Sequence, residues 1–188
     1  MKSIAVYCGS RSGASDVYIK GAKSLGIELA RRKMTLIYGG SSAGMMGAVA
    51  DSCLEAGGRV VGVMPQFLDN REKSHKTLSE LIIVESMHER KSKMSELADG
   101  FIALPGGPGT LEEFFEIFTW AQISLHQKPI GLLNINHYFD PIVDLFNHMA
   151  DEHFMEEKHR SLALVDEHAN GLLDQFSYYL SQSCQTNL

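Results

Sequence analysis

Short aliphatic and β-branched runs alternate along this chain with longer segments in which apolar residues recur every three or four positions, the pattern of strands alternating with amphipathic helices. SIAVYC (3–8) reads as a strand that stops at Gly9-Ser10. Over 15–32 the residues Ile19, Ala22, Leu25 and Leu29 keep helical spacing. MTLIY (34–38) is a second strand, ended by Gly39-Gly40, and 45–56 a helix stopped by Gly57-Gly58, glycine being the residue that most readily closes a helix end. RVVGVMP (59–65) is a third strand, and the polar, aperiodic stretch 66–76 reads as an exposed loop. LIIVE (81–85), a helix over 87–99, GFIALPGG (100–107), a helix over 110–126 and KPIGLLN (128–134) continue the alternation. Pro141 suits the first turn of a helix over 139–154. SLALVD (161–166) is a candidate short strand, and 171–180 a last helix.

Strands that are almost uninterrupted apolar runs belong in a parallel sheet covered on both faces. The predicted fold is α/β: a doubly wound, mostly parallel, Rossmann-like sheet with helices on both sides. No repeat, low-complexity tract or linker divides the chain, so residues 1–188 are expected to form one domain. In such sheets ligands bind beyond the carboxyl ends of the strands, where the chain direction switches. Those ends carry Gly9-Ser10, Gly39-Gly40 and Gly106-Gly107.

Composition narrows the function. Seventeen Lys+Arg against 23 Asp+Glu give a formal charge of −6 with no basic block, so no nucleic-acid partner is expected, because polyelectrolyte binding needs a clustered cationic face. A single small anion is still possible, since backbone N–H groups can hold one phosphate. No apolar run approaches the roughly 18 residues of a membrane span, and the first residues lack a signal-type apolar core. A cytoplasmic protein without a membrane partner is expected. Cys8, Cys53 and Cys184 have no ligand-like spacing, and the eight histidines form no metal motif. Neither a metal nor a cofactor is expected.

The first two glycine loops, CGSRSG and GGSSAGMMG, fit neither a dinucleotide fingerprint nor a P-loop. Together with the third they make a shared nucleotide pocket, with Ser10 and Gly40 among its contacts. The third loop is more specific: Pro105-Gly106-Gly107-Pro108-Gly109-Thr110-Leu111-Glu112-Glu113. Its glycines let backbone N–H groups approach a ligand, and the helix behind adds its positive end and the Thr110 hydroxyl. This predicts a phosphate cradle with two carboxylates behind it. At about 100° per residue, Glu112 falls with Glu116 and Thr119 on the polar face, and Glu113 on an apolar flank. A carboxylate there is costly unless it has a partner or a task, so Glu113 is the functional candidate and Glu112 a solvated or structural one. MHERKSKM brings Arg90 and Lys91 to the same sheet edge, as phosphate or carboxylate ligands or as a solvated helix face.

MHERK followed by PGGPGTLEE resembles the signature of the lonely guy family of phosphoribohydrolases, also labelled possible lysine decarboxylases, which release cytokinin bases from riboside 5′-monophosphates. The similarity spans nearly the whole chain, through TWAQISLHQKPIGLLN. It implies Arg90 and Glu113 as the catalytic pair. Nucleotide contacts are implied from Glu72, Lys91, the run Gly107, Pro108, Gly109, Thr110, Leu111, Glu112 to Glu113, and Thr119. It implies hydrolysis of an N-glycosidic bond in (N6-modified) adenosine 5′-monophosphates, without cofactor, at a site near a homodimer interface. The apolar residues Phe114, Phe115, Ile117, Phe118, Trp120 and Ile123, spread nearly all round one helix, also point to a homodimer. The alternatives are a non-catalytic nucleotide or cofactor carrier and a broader AMP nucleosidase.

Overall fold

The computed structural model describes residues 1–69 and 74–185. Seven strands, β1 (Ser3–Tyr7), β2 (Thr35–Tyr38), β3 (Val60–Pro65), β4 (Glu80–Val84), β5 (Phe101–Ala103), β6 (Ile130–Leu133) and β7 (Ala163–Asp166), form one sheet in the order β4-β3-β2-β1-β5-β6-β7. Every pairing is parallel. The helices between them are α1 (Asp16–Arg31), α2 (Gly44–Glu55), α3 (Gln66–Asp69), α4 (Met87–Leu97), α5 (Pro108–Gln122), α6 (Asp140–Asp151), α7 (Glu157–Arg160) and α8 (Ala169–Gln185).

Two hydrophobic clusters explain why the strands read as continuous apolar runs. Ile4, Val6, Leu36, Tyr38 and Ile102 face α1, α2 and α8, where Leu25, Val49 and Phe176 are fully buried. Their chain neighbours Ala5, Tyr7, Ile37, Phe101 and Ala103 face α4, α5 and α6, against Met94, Phe114, Phe118 and Phe146. Strand side chains alternate with a period of two, and here both faces are interior.

The predicted alternation is present, with local differences. Residues 66–76 contain the short helix α3, and Ser74 and His75 are buried rather than exposed. Ser74 bridges to Ser41 beside β2, which draws this polar stretch onto the sheet end. α5 begins two residues early because Pro108 takes its first position, where the missing N–H is unneeded. α6 stops at Asp151, ahead of the left-handed turn at His153 (φ 62°), and Phe154 lies outside it. SLALVD does form a strand, and α8 runs longer than expected, closing the first cluster with Leu172, Leu173 and Phe176. No helix among the described residues is long and apolar enough to cross a membrane.

Candidate active site

β1 and β5 are neighbours in the sheet, but the chain leaves β1 toward β2 and leaves β5 toward β6. Their outgoing loops diverge and open a crevice at the strand ends. The two loops are laced at its base. The Gly9 N–H donates to the Pro105 carbonyl at 3.2 Å. A Cβ at Gly106 would stand 2.2 Å from the Thr110 hydroxyl and 2.7 Å from the Gly9 nitrogen, so this glycine is a packing requirement. Tyr138, beyond β6, donates its hydroxyl to the Gly106 carbonyl at 2.6 Å and props the loop from the other side.

Gly107 and Gly109 differ from Gly106. A Cβ at either would meet nothing within 4 Å, and neither has a left-handed backbone. The Thr110 and Leu111 N–H groups turn back to the Gly107 carbonyl, at 3.0 and 3.3 Å, and start α5. Among the described residues no backbone bond outside the helices uses the N–H of Gly107 or Gly109, as expected at a helix start. The fold therefore leaves these two positions open, and an approaching anion is what glycine there would admit. Gly107→Ala and Gly109→Ala are expected to melt at or above the wild-type temperature and raise the KM for a phosphorylated substrate roughly tenfold, about 1.4 kcal/mol of lost binding. Gly106→Ala is expected to lose about 1–3 kcal/mol of stability through overpacking. Thermal melts and steady-state kinetics on the three variants check this.

Glu113 sits one turn into α5 and is 8% exposed. Burial pushes its carboxyl above the usual carboxylate range, and the neighbouring Arg90 guanidinium opposes that rise. Arg90 Nη1 stands 3.4 Å from Glu113 Oε1. The start of α4 aims the arginine: the Ser86 hydroxyl accepts the Glu89 N–H at 3.1 Å, and the Glu89 carboxylate accepts the Glu85 N–H at 2.8 Å, a reciprocal cap that sets where the helix begins. Arg90 Nε donates to the Val63 carbonyl of β3, at 3.2 Å. Its guanidinium lies against Gly39, where a Cβ would come within 2.0 Å of Nη2. The glycine after β2 thus makes room for the arginine.

The two carboxylates separate as the helical spacing predicts. Glu112 is exposed and takes the Lys91 ammonium at 2.5 Å, while Glu116 takes it at 3.0 Å. Lys91 is buried, and its hydrogen bonds to Glu112 and then Glu116 hold its pKa above the usual lysine value. It ties α4 to α5 and so sets Arg90 opposite Glu113.

A cavity of about 290 Å³ joins Ser10, Arg90, Gly107, Pro108, Gly109, Thr110, Glu112 and Glu113. It also takes in Cys8, Gly39 and Met46 of the first two glycine loops, Met87 of the MHERK segment and Leu68, which no local pattern marked. Burial holds the Cys8 thiol well above its ordinary pKa, so it is a neutral wall. Gly40, Lys91, Leu111 and Thr119 are not on this wall. Gly40 faces Leu81 and Met64, and Leu111 packs into the second core cluster. Thr119 is exposed on the outer stripe of α5, six residues and about 9 Å beyond Glu113. Glu72 lies outside the described residues. A second cavity, of about 500 Å³, shares Gly9, Ser10, Gly107 and Pro108 and is bounded by Arg11, Tyr18, Met45 and Tyr138. Among the described residues no cluster of three or more His, Cys, Asp or Glu could hold a metal ion.

The family model described as "Possible lysine decarboxylase" matches residues 46–176. The chain is 44% identical over 173 residues to the cytokinin riboside 5′-monophosphate phosphoribohydrolase of Rhodococcoides fascians, covering 92% of this chain and 87% of the relative. The chain belongs to the lonely guy family. An Arabidopsis thaliana member carrying the same enzyme name is 40% identical over 178 residues, covering 95% of this chain and 78% of its own. Among solved structures, the molybdenum cofactor carrier protein of Chlamydomonas reinhardtii superposes with a TM-score of 0.73 at 20% identity, over 96% of this chain and 98% of that one. At that identity it supports the Rossmann-like fold alone. As a lonely guy protein the chain brings both parts of the signature to one cavity edge, Arg90 from the Arg90-Lys91 pair and Gly107–Thr110, Glu112 and Glu113 from the PGGPGTLEE loop. The decarboxylase label does not suit the site. A pyridoxal phosphate Schiff base needs an accessible neutral lysine; among the described residues no lysine lines the cavity, and nearby Lys91 is kept charged by two carboxylates.

Proposed function

We propose that this protein hydrolyses the N-glycosidic bond of adenosine 5′-monophosphates, N6-modified cytokinin forms included, releasing the free base and ribose 5-phosphate. The observation that carries the reading is a buried carboxylate, Glu113, facing Arg90 beside a loop whose open glycines have no backbone partner for their N–H groups among the described residues. The phosphate sits at Gly107–Thr110, where the α5 dipole and the Thr110 hydroxyl meet it, and the ribose lies over Glu113. Breaking the bond to the base builds cationic, oxocarbenium-like character on the sugar, as in glycoside hydrolysis. Glu113, in a site of low polarity, stabilises that charge and orients water. Arg90 neutralises the carboxylate in the resting site and orients the nucleotide. The phosphoribohydrolase names of the relatives support this over a carrier role.

The test is a panel of nucleosides and nucleotides, with free base separated by chromatography. AMP-type 5′-monophosphates are expected to be cleaved at least about 100-fold faster than their nucleosides, the loss of one anchored phosphate, and activity is expected to survive chelation. Equal rates on AMP and adenosine would remove the cradle from the reaction.

The working form in this proposal is a cytoplasmic homodimer. Helix α6 covers part of the apolar circumference of α5, since Phe146 packs on Phe114, Phe115 and Phe118. Ile123 and Leu125 remain 62% and 67% exposed at the end of α5, on the side of the molecule where Thr119 is also exposed. Light scattering at micromolar concentration is expected to give twice the 20.8 kDa chain mass; the single-chain mass would refute the dimer.

A further inference from the structure

Three of the buried polar side chains, Ser41, Ser74 and His75, lie outside the reaction cavity and close to one another. His75 is 7% exposed although it stands in the most polar stretch of the chain. Its Nε2 is 2.8 Å from the Asp51 carboxylate of α2. Its Nδ1 lies 3.4 Å from the Thr77 N–H. A backbone N–H can only donate, so Nδ1 accepts and Nε2 carries the hydrogen given to Asp51. With both nitrogens engaged, the ring links the Asp51 carboxylate to the Thr77 backbone.

What it ties is the turn after β2. The His75 N–H donates to the Gly40 carbonyl at 3.0 Å, and Ser74 pairs with Ser41 in an antiparallel bridge. The other side of this turn is Gly39, the surface against which the Arg90 guanidinium rests. Asp51 belongs to the helix whose first turn places Met46 in the reaction cavity. One contact therefore joins α2, the 39–41 turn and the support of Arg90. We propose that His75, held by Asp51, is a positioning residue for Arg90, acting through the turn at residues 39–41. As a statement about catalysis this rests on the proposed hydrolysis; as a statement about the turn it does not.

Two measurements test it, on wild type and on His75→Ala, His75→Gln, Asp51→Leu and Asp51→Asn. Asp51 has a side chain 55% exposed, so its variants are expected to fold. The first is hydrogen exchange read by mass spectrometry on a peptide spanning the turn. Exchange there is expected to speed up at least about fivefold in Asp51→Leu and His75→Ala, local opening being what the tie suppresses. It should stay near wild type in Asp51→Asn, whose amide oxygen still accepts from Nε2. Unchanged exchange in Asp51→Leu overturns the tie. The second is AMP hydrolysis in a double-mutant cycle with Arg90→Lys. His75→Ala is expected to lower kcat roughly tenfold with KM within about threefold, His75→Gln to recover most of it, and the loss to shrink below about twofold in the Arg90→Lys background. Equal losses in both backgrounds overturn the coupling to Arg90. A wild type inert toward every 5′-monophosphate would sink the proposed reaction, with the exchange result still deciding the tie.

Discussion

Glu113→Gln is expected to lose at least about 100-fold in kcat while still binding the nucleotide, because it keeps the shape of the side chain and removes the charge that a cationic transition state needs. The same substitution is expected to make the protein more stable at neutral pH. Burial raises the carboxyl's pKa in the folded state above the 4.5 of an unperturbed glutamate. A raised acid favours folding below its unfolded pKa, and that contribution disappears as pH climbs through the folded value. Ionising the buried Glu113 as pH rises therefore costs stability that glutamine restores, and the difference should vanish below about pH 4.5. Loss of rate with gain of stability is the usual mark of a group kept for function. Melting curves at two pH values with steady-state kinetics check both halves. For the wild type, the acid limb of kcat/KM should lie above the ordinary carboxylate range, since the reaction uses the ionised form. Glu112→Gln should cost less than about threefold: Glu112 is exposed, and Glu116 still holds Lys91. If Glu112→Gln is the inactive variant and Glu113→Gln works normally, the assignment of the two carboxylates is wrong.

Arg90→Ala should be comparably damaging for a different reason. It removes the larger of the two cationic influences, Arg90 and Lys91, that oppose burial at this carboxylate, so the acid limb should move further up in pH as kcat falls about 100-fold or more. Arg90→Lys should recover little. The guanidinium reaches the Val63 carbonyl with Nε and faces Glu113 with Nη1 at the same time, and a single ammonium cannot do both. A pH–rate profile for each variant separates the two effects. Wild-type kinetics in Arg90→Lys would show that charge alone is needed and that the planar fork is not.

Much of the site could be anticipated from local pattern because the decisive information there is angular. Glu112 and Glu113 are adjacent in the chain, yet helical rotation alone puts one among Glu116 and Thr119 and the other among Ile117 and Trp120. Their exposed and buried states follow from that rotation. The strand ends were legible in the same way, since glycine pairs interrupt apolar runs. Polarity does not equal exposure in the 66–76 stretch. His75 and Ser74 are polar and buried because the neighbouring turn and Asp51 supply their hydrogen bonds, and no residue within a helical or strand period of them signals that.

The chain by itself determined the alternation of strands and helices, the apolar character of both sheet faces, the glycine turns at the strand ends and the face on which each carboxylate stands. Each depends on the periodicity of side chains along one element, which is local. Only the tertiary structure decided that β1 lies beside β5, so that Gly9 packs on Gly106 across 97 positions of sequence. It alone set Arg90 against Gly39 and 3.4 Å from Glu113, carried Tyr138 to the Gly106 carbonyl and left Gly107 and Gly109 open where Gly106 is filled. These are contacts between elements, fixed by strand order and by the packing of helices on the sheet, and periodicity within an element says which face turns inward but not what meets it.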